Sequence, residues 1–171
     1  LNAMFTYMNV ARIGTASQGV SAAERSYQGA SAYARDRLAM RSISGVKNPE
    51  GPADAIIEHP DVRRMLLTQR AIAEGGRAMV TYASQFADIY RAGKTEASKK
   101  TAENRLGFCT PILKGFITEL GVEAANHGVQ VFGGHGYIKE WGMEQILRDS
   151  RIATLYEGTT GIQALDLVGR K

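Results

Sequence analysis

The sequence predicts an all-α fold, an antiparallel four-helix-type bundle. Apolar or small residues recur at alternating spacings of three and four. Glycine and proline clusters cut the chain into a few long segments. No stretch alternates as a strand would, and no internal repeat is present.

The first segment carries the clearest pattern. Ile13, Ala16, Val20, Ala23, Tyr27, Ala30 and Ala34 form the seam of a helix packed along its length, predicted from about Asn2 to about Ser42. Gly45, Asn48, Pro49, Gly51 and Pro52 make the stretch from Ser44 to Pro60 a loop. Pro60 and Asp61 are start signals for a second helix with seam Met65, Ile72, Met79 and Phe86, stopped by Gly93. Gly75 and Gly76 are candidates for close helix approach. GKTEASKK reads as a polar connection or frayed turn. Thr110 and Pro111 read as a cap and first residue of a third helix, with Ile112, Leu113, Phe116, Ile117, Leu120 and Ala124 at helical spacing up to about Phe132. The glycine loop GGHGY follows, then a short helix around Met143 to Arg151. After the LYEGTTG turn, a last helix runs from about Thr160 to Val168.

Composition excludes several classes. The 171 residues suit one domain, and 44% hydrophobic with 22% charged residues is ordinary for a globular chain. The net charge of +4 is mild and its basic residues are scattered, which argues against nucleic acid as a partner. No apolar run approaches the ~18 residues a membrane span needs. Cys109, the single cysteine, excludes an internal disulfide and reads as a core thiol in a reducing compartment. His59, His127 and His135 lack metal-ligand spacing, so no metal site is expected, and His59 before Pro60 is a candidate cap. The N-terminus is neither signal peptide nor transit sequence; it opens inside an amphipathic pattern, as though cut from a longer chain.

Three features break the pattern. Continuing the first seam from Ala34 by three reaches Arg37, either a helix-end arginine reaching water or an anion-binding one. QVFGGHGY is either a helix stop or a place where backbone N–H groups approach a phosphate. Glu157 could serve only first-turn electrostatics. Yet Thr159 and Thr160 can cap the last helix without it, which leaves the carboxylate free for general-base work.

QVFGGHGY, RDSRI and YEGTTGIQ, in that order and spacing, resemble the C-terminal end of the acyl-CoA dehydrogenases, flavoproteins that desaturate acyl thioesters between the α and β carbons. YARDR, Tyr33 to Arg37, is similar to that family's first helix end. IIEHPDVRRML is similar to the start of its next helix. The resemblance covers essentially the whole chain, as a single C-terminal helical domain (1–171). It implies a longer flavoenzyme whose N-terminal helical and middle β domains lie outside this chain. IIEHPDVRRMLL and EWGMEQ resemble the larger bacterial branch that includes the 3-methylmercaptopropionyl-CoA dehydrogenases.

The resemblance implies roles residue by residue. Glu157 matches the base that removes the α-proton while hydride passes to FAD, and Tyr156 and Gly158 match the acyl pocket. Thr159 matches a flavin contact. Gln130, Gly133 and Gly134 match the segment holding the FAD of the neighbouring subunit, and Arg37 matches an arginine reaching that FAD's pyrophosphate across the dimer interface. Arg12 falls at the substrate-facing arginine, with Asn9 one turn earlier. Expected partners are an acyl-CoA substrate, a homodimer or homotetramer and an electron-transfer flavoprotein, in a bacterial-like cytoplasm. The sequence departs from the family pattern at Met40 and Arg41, which stand where a Phe-Gly pair is usual, and at Gly161, where glutamine is common. The loop from Ser44 to Ile57 is longer than in short- and medium-chain members. The alternative expectation is a non-catalytic helical oligomerisation module.

Overall fold

The computed structural model describes residues 2–170. Helix α1 spans Asn2–Asp36, α2 Pro60–Ala92, α3 Glu96–Ile112, α4 Thr118–Phe132, α5 Met143–Ile152 and α6 Thr160–Arg170. A π-helical turn, Leu113–Ile117, joins α3 to α4, so the two make one long rod.

The rods run up, down, up. Ile13 and Val20, early in α1, cluster with Ala83 and Phe86 late in α2 and with Ala102 and Leu106 early in α3. Ala30 and Ala34, late in α1, meet Met65 and Leu66 early in α2 and Val131 and Phe132 late in α4. Helix α6 closes the bundle in the opposite sense. Thr160 reaches Glu119, and Asp166 reaches Arg12 near the start of α1. The antiparallel four-helix arrangement therefore stands, with α6 as its short fourth member.

The seam of α1 is buried as the spacing predicts, Tyr27 only partly. At mid-length it is fastened by polar groups. Ser26 Oγ lies 3.0 Å from both Gln69 Oε1 and the Ala124 carbonyl, joining three rods in a dry interior where unpaired polar atoms would be costly. Helices α1 and α4 approach closely at Gly19 and Gly121. A Cβ on Gly121 would stand 2.7 Å from the Gly19 Cα, whereas Gly75, proposed for such an approach, has nothing within 4 Å. Of that expected glycine pair, only Gly76 faces a neighbour, the Val20 side chain.

Several boundaries and registers differ from the sequence reading. Helix α1 ends at Asp36 rather than near Ser42, because the chain turns into a bridge between Leu38 and Ala55. The buried Asp54 carboxylate then gathers the loop. It accepts from the Ser42, Lys47 and Asn48 N–H groups at 2.8, 3.0 and 2.7 Å. GKTEASKK is largely helix: Thr95 caps α3 by accepting from the Ser98 N–H. Thr110 and Pro111 therefore lie inside a helix rather than at its start. Pro111 supplies no N–H for the Gly107 carbonyl, and Thr110 Oγ1 turns back to the Leu106 and Gly107 carbonyls instead. The π turn that follows inserts extra residues per turn and rotates the stripe. Phe116 is thus exposed while Leu113, Lys114 and Ile117 are buried. Met79 is also turned outward, since Gly76 and Ala83 hold the inward positions there. His59 flanks α2 without capping it; its Nε2 lies 2.8 Å from the Ala39 carbonyl.

Candidate functional site

Glu157 sits on the turn between α5 and α6. Its φ is +57°, left-handed backbone that costs an L-residue roughly 1–2 kcal/mol. Gly158 follows at φ +93°. The turn is built to hold this shape. Ala153, Thr154, Leu155 and Tyr156 donate back to the end of α5. The Gln163 amide, buried on α6, donates to the Glu157 and Gly158 carbonyls at 3.0 and 3.2 Å. Tyr156 Oη donates to Gln18 Oε1 at 2.7 Å, tying the turn to α1. The Glu157 carboxylate itself is half-buried and makes no hydrogen bond or ion pair among the described residues.

Behind the turn lies a polar pocket of the core. Lys114, on the π segment, is fully buried, and its Nζ donates to the Thr154 carbonyl at 3.1 Å. Burial pushes its ammonium below the usual lysine value; Glu119 and Glu157 pull it back up, and Arg12 adds to the depression. Arg12 is buried and paired with Asp166 at 2.8 Å, while its Nε has no partner among the described residues. The sequence reading did not single out Lys114, although its signal was present as a cation inside the apolar run TPILKGFI.

The other expected residues fall elsewhere. Arg37, Gly133 and Gly134 line one cleft of about 360 Å³, with Tyr33, Phe132 and His135 as its aromatic wall. Tyr33 stacks on Phe132 with centroids 4.0 Å apart, and its hydroxyl lies 2.8 Å from His135 Nδ1. His135 stacks in turn on Trp141. The exposed Arg37 guanidinium makes no ion pair among the described residues, and a Cβ at Gly133 or Gly134 would meet nothing within 4 Å. An unpaired guanidinium beside bare backbone suits an anionic group such as a pyrophosphate. Gln130 is exposed on the last turn of α4, outside that cleft, and Thr159 is exposed at the start of α6. Asn9 lies toward Thr110, 3.4 Å from its hydroxyl.

Two separate places result. Gln18, beside the Glu157 turn, and Arg37 are separated along α1 by roughly 28 Å at 1.5 Å per residue. One protomer thus presents the Glu157 turn at one level and the cationic cleft at another. Burial pushes the Cys109 thiol up, away from the thiolate form that reacts. Among the described residues no group of three or more His, Cys, Asp or Glu could hold a metal ion, and no helix is long and apolar enough to cross a membrane.

A helical bundle with a glutamate on a fastened Gly-flanked turn and a distant arginine–glycine cleft defines a class. Residues 1–171 match the family described as the C-terminal domain of acyl-CoA dehydrogenase, and the chain belongs to that family. It is 48% identical to 3-methylmercaptopropionyl-CoA dehydrogenase of Ruegeria pomeroyi over 171 residues, covering 100% of this chain and 28% of that protein. It is 34% identical to a butyryl-CoA dehydrogenase of Syntrophomonas wolfei over 98% of this chain and 27% of that one. The chain therefore spans less than a third of the length of these relatives. In fold it is similar to the Bacillus anthracis acyl-CoA dehydrogenase complexed with FAD (TM-score 0.79, 21% identity, 96% of this chain and 27% of that one). It is likewise similar to Caenorhabditis elegans ACDH-11 in complex with C11-CoA (TM-score 0.79, 23% identity, 94% and 25%).

Proposed function

We propose that this chain is the C-terminal helical domain of a longer FAD-dependent acyl-CoA dehydrogenase, and that Glu157 is its catalytic base. The observation that carries the reading is a half-buried carboxylate held at φ +57° on a fastened turn, with no hydrogen bond or ion pair among the described residues. A proton α to a thioester is weakly acidic, so the base must be held in one aligned geometry. The Gln163 and Tyr156 bonds supply that hold from α6 and α1. FAD, when bound, accepts the hydride leaving the β carbon. Tyr156 and Gly158 line the acyl side of the turn, Thr159 meets the flavin, and Arg12 stands behind as the substrate-side cation.

Arg37, Gly133 and Gly134, with Gln130 nearby, hold the FAD of a second subunit. The roughly 28 Å between that cleft and the Glu157 turn along α1 supports that division. A homodimer or homotetramer, an acyl-CoA substrate and an electron-transfer flavoprotein as electron acceptor complete the proposal, in a cytoplasmic setting. Exposed Ile162, Leu165 and Val168 on α6 favour a second reading for the chain in isolation, a helical oligomerisation module.

The test is Glu157→Gln in the full-length protein. Turnover of acyl-CoA thioesters should fall by about 100- to 10,000-fold, the range general acid–base catalysis supplies, with FAD content unchanged. Near-normal turnover would refute the assignment.

A further inference from the structure

Lys114 is the largest fully buried side chain among the described residues. Burying an ammonium is expensive, and an apolar side chain of similar length would fill the same space at no such cost. Packing therefore does not account for a lysine here, and its hydrogen bond is the place to look. The Nζ donates to the carbonyl of Thr154, three residues before Glu157. Thr154 is itself buried and is locked to the last turn of α5 by hydrogen bonds between its hydroxyl and both the Arg151 side chain and the Arg151 carbonyl. The π turn makes this reach possible. By rotating the stripe after Pro111 it turns Lys114 inward and Phe116 outward.

We propose that Lys114 is the positioning residue of the Glu157 turn: its buried ammonium grips the Thr154 carbonyl and so sets where the Glu157 carboxylate points. This rests on the reading of Glu157 as the base. The grip comes from beneath, from the third rod, whereas Gln163 and Tyr156 hold the turn from α6 and α1. The charged groups around Lys114 are Glu119 on α4, Arg12 on α1 and Glu157 itself on the turn. Arg12 is balanced by Asp166 on α6.

Lys114→Met in the full-length holoenzyme removes both grip and charge while keeping the side chain's length. The variant should fold and hold FAD, with KM little changed. Its kcat should fall about 10- to 100-fold, the loss a roughly 1 Å misplacement produces. The amides of Leu155 and Tyr156 should exchange hydrogen faster, a readout independent of turnover. Lys114→Gln keeps a donor without charge, so it should disturb kcat and amide exchange less than the methionine variant does; it carries the test if the methionine variant does not fold. Wild-type kcat and unchanged amide exchange in these variants would overturn the proposal. If Glu157→Gln keeps turnover, the base reading fails, and the exchange rates alone still decide whether Lys114 holds the turn.

Discussion

Replacing Gly121 by alanine tests how α1 is seated on the third rod. The new Cβ would lie 2.7 Å from the Gly19 Cα and 2.7 Å from its carbonyl oxygen. Ordinary carbon contacts are about 3.5–4.0 Å, so the helices must part locally by roughly 0.8 Å or more. Both obstructing atoms belong to backbone, which cannot swing aside as a side chain tip would. Overpacking of this kind costs about 1–3 kcal/mol, and rigid backbone places it near about 3. Alanine's better helix propensity returns about 1 kcal/mol. A net loss of about 2 kcal/mol corresponds to a fall in Tm of about 4–8 °C for a chain of this size. Gly75→Ala is the internal control. With nothing within 4 Å, it keeps only the propensity gain of about 1 kcal/mol, and Tm should rise by about 2–4 °C. Thermal unfolding followed by circular dichroism reads both. A Gly121→Ala chain melting at or above the wild type would refute the close-packing account. Because Gln18 adjoins Gly19 and accepts from Tyr156, the same variant should also loosen the Glu157 turn.

Two further outcomes are expected. The Asp54 carboxyl is held down to about 2 from 3.8, first by the Ser42 N–H and then by the Asn48 and Lys47 N–H groups and Arg41, against the opposing effect of burial. A lowered carboxyl stabilises above its unfolded value, so order in the loop that Asp54 gathers should be complete above about pH 4 and be lost as pH falls towards 2. Asp54→Asn should abolish that dependence, as read by amide exchange across the window, and persistence of the same transition would contradict it. The 171-residue chain on its own should fold and self-associate through surfaces such as the exposed α6 face, yet neither retain FAD nor turn over acyl-CoA. Purification of that chain with stoichiometric yellow FAD would count against this.

Much of the fold was legible because helical periodicity is local. The seam from Ile13 to Ala34 needed only the spacing of small and apolar residues, and all of it is buried or partly buried. Boundaries set by distant partners were not legible. Helix α1 stops short of Ser42 because Asp54, twelve residues further on, draws the Ser42 N–H into a loop. Thr110 and Pro111 have the composition of a helix start, but the packing of α3 against α2 carries the helix through them. At the candidate site, Glu157 stood out by its glycine-flanked setting. Lys114 did not, because an apolar run with one lysine reads as a solvated edge until the π turn shows which way it faces.

The sequence alone determined an all-α chain, the existence and much of the span of its long helices and, through YEGTTGIQ, the residue offered as the base. Those are properties of residue type and short spacing, which each segment carries by itself. Tertiary structure decided that Gly19 and Gly121 are the crossing point. It also decided that Arg12 turns inward to Asp166, and that Arg37 shares a cleft with Gly133 and Gly134 far from Glu157. Each of these depends on which side chains meet across helices, and helix rotation and register are settled only when the rods pack.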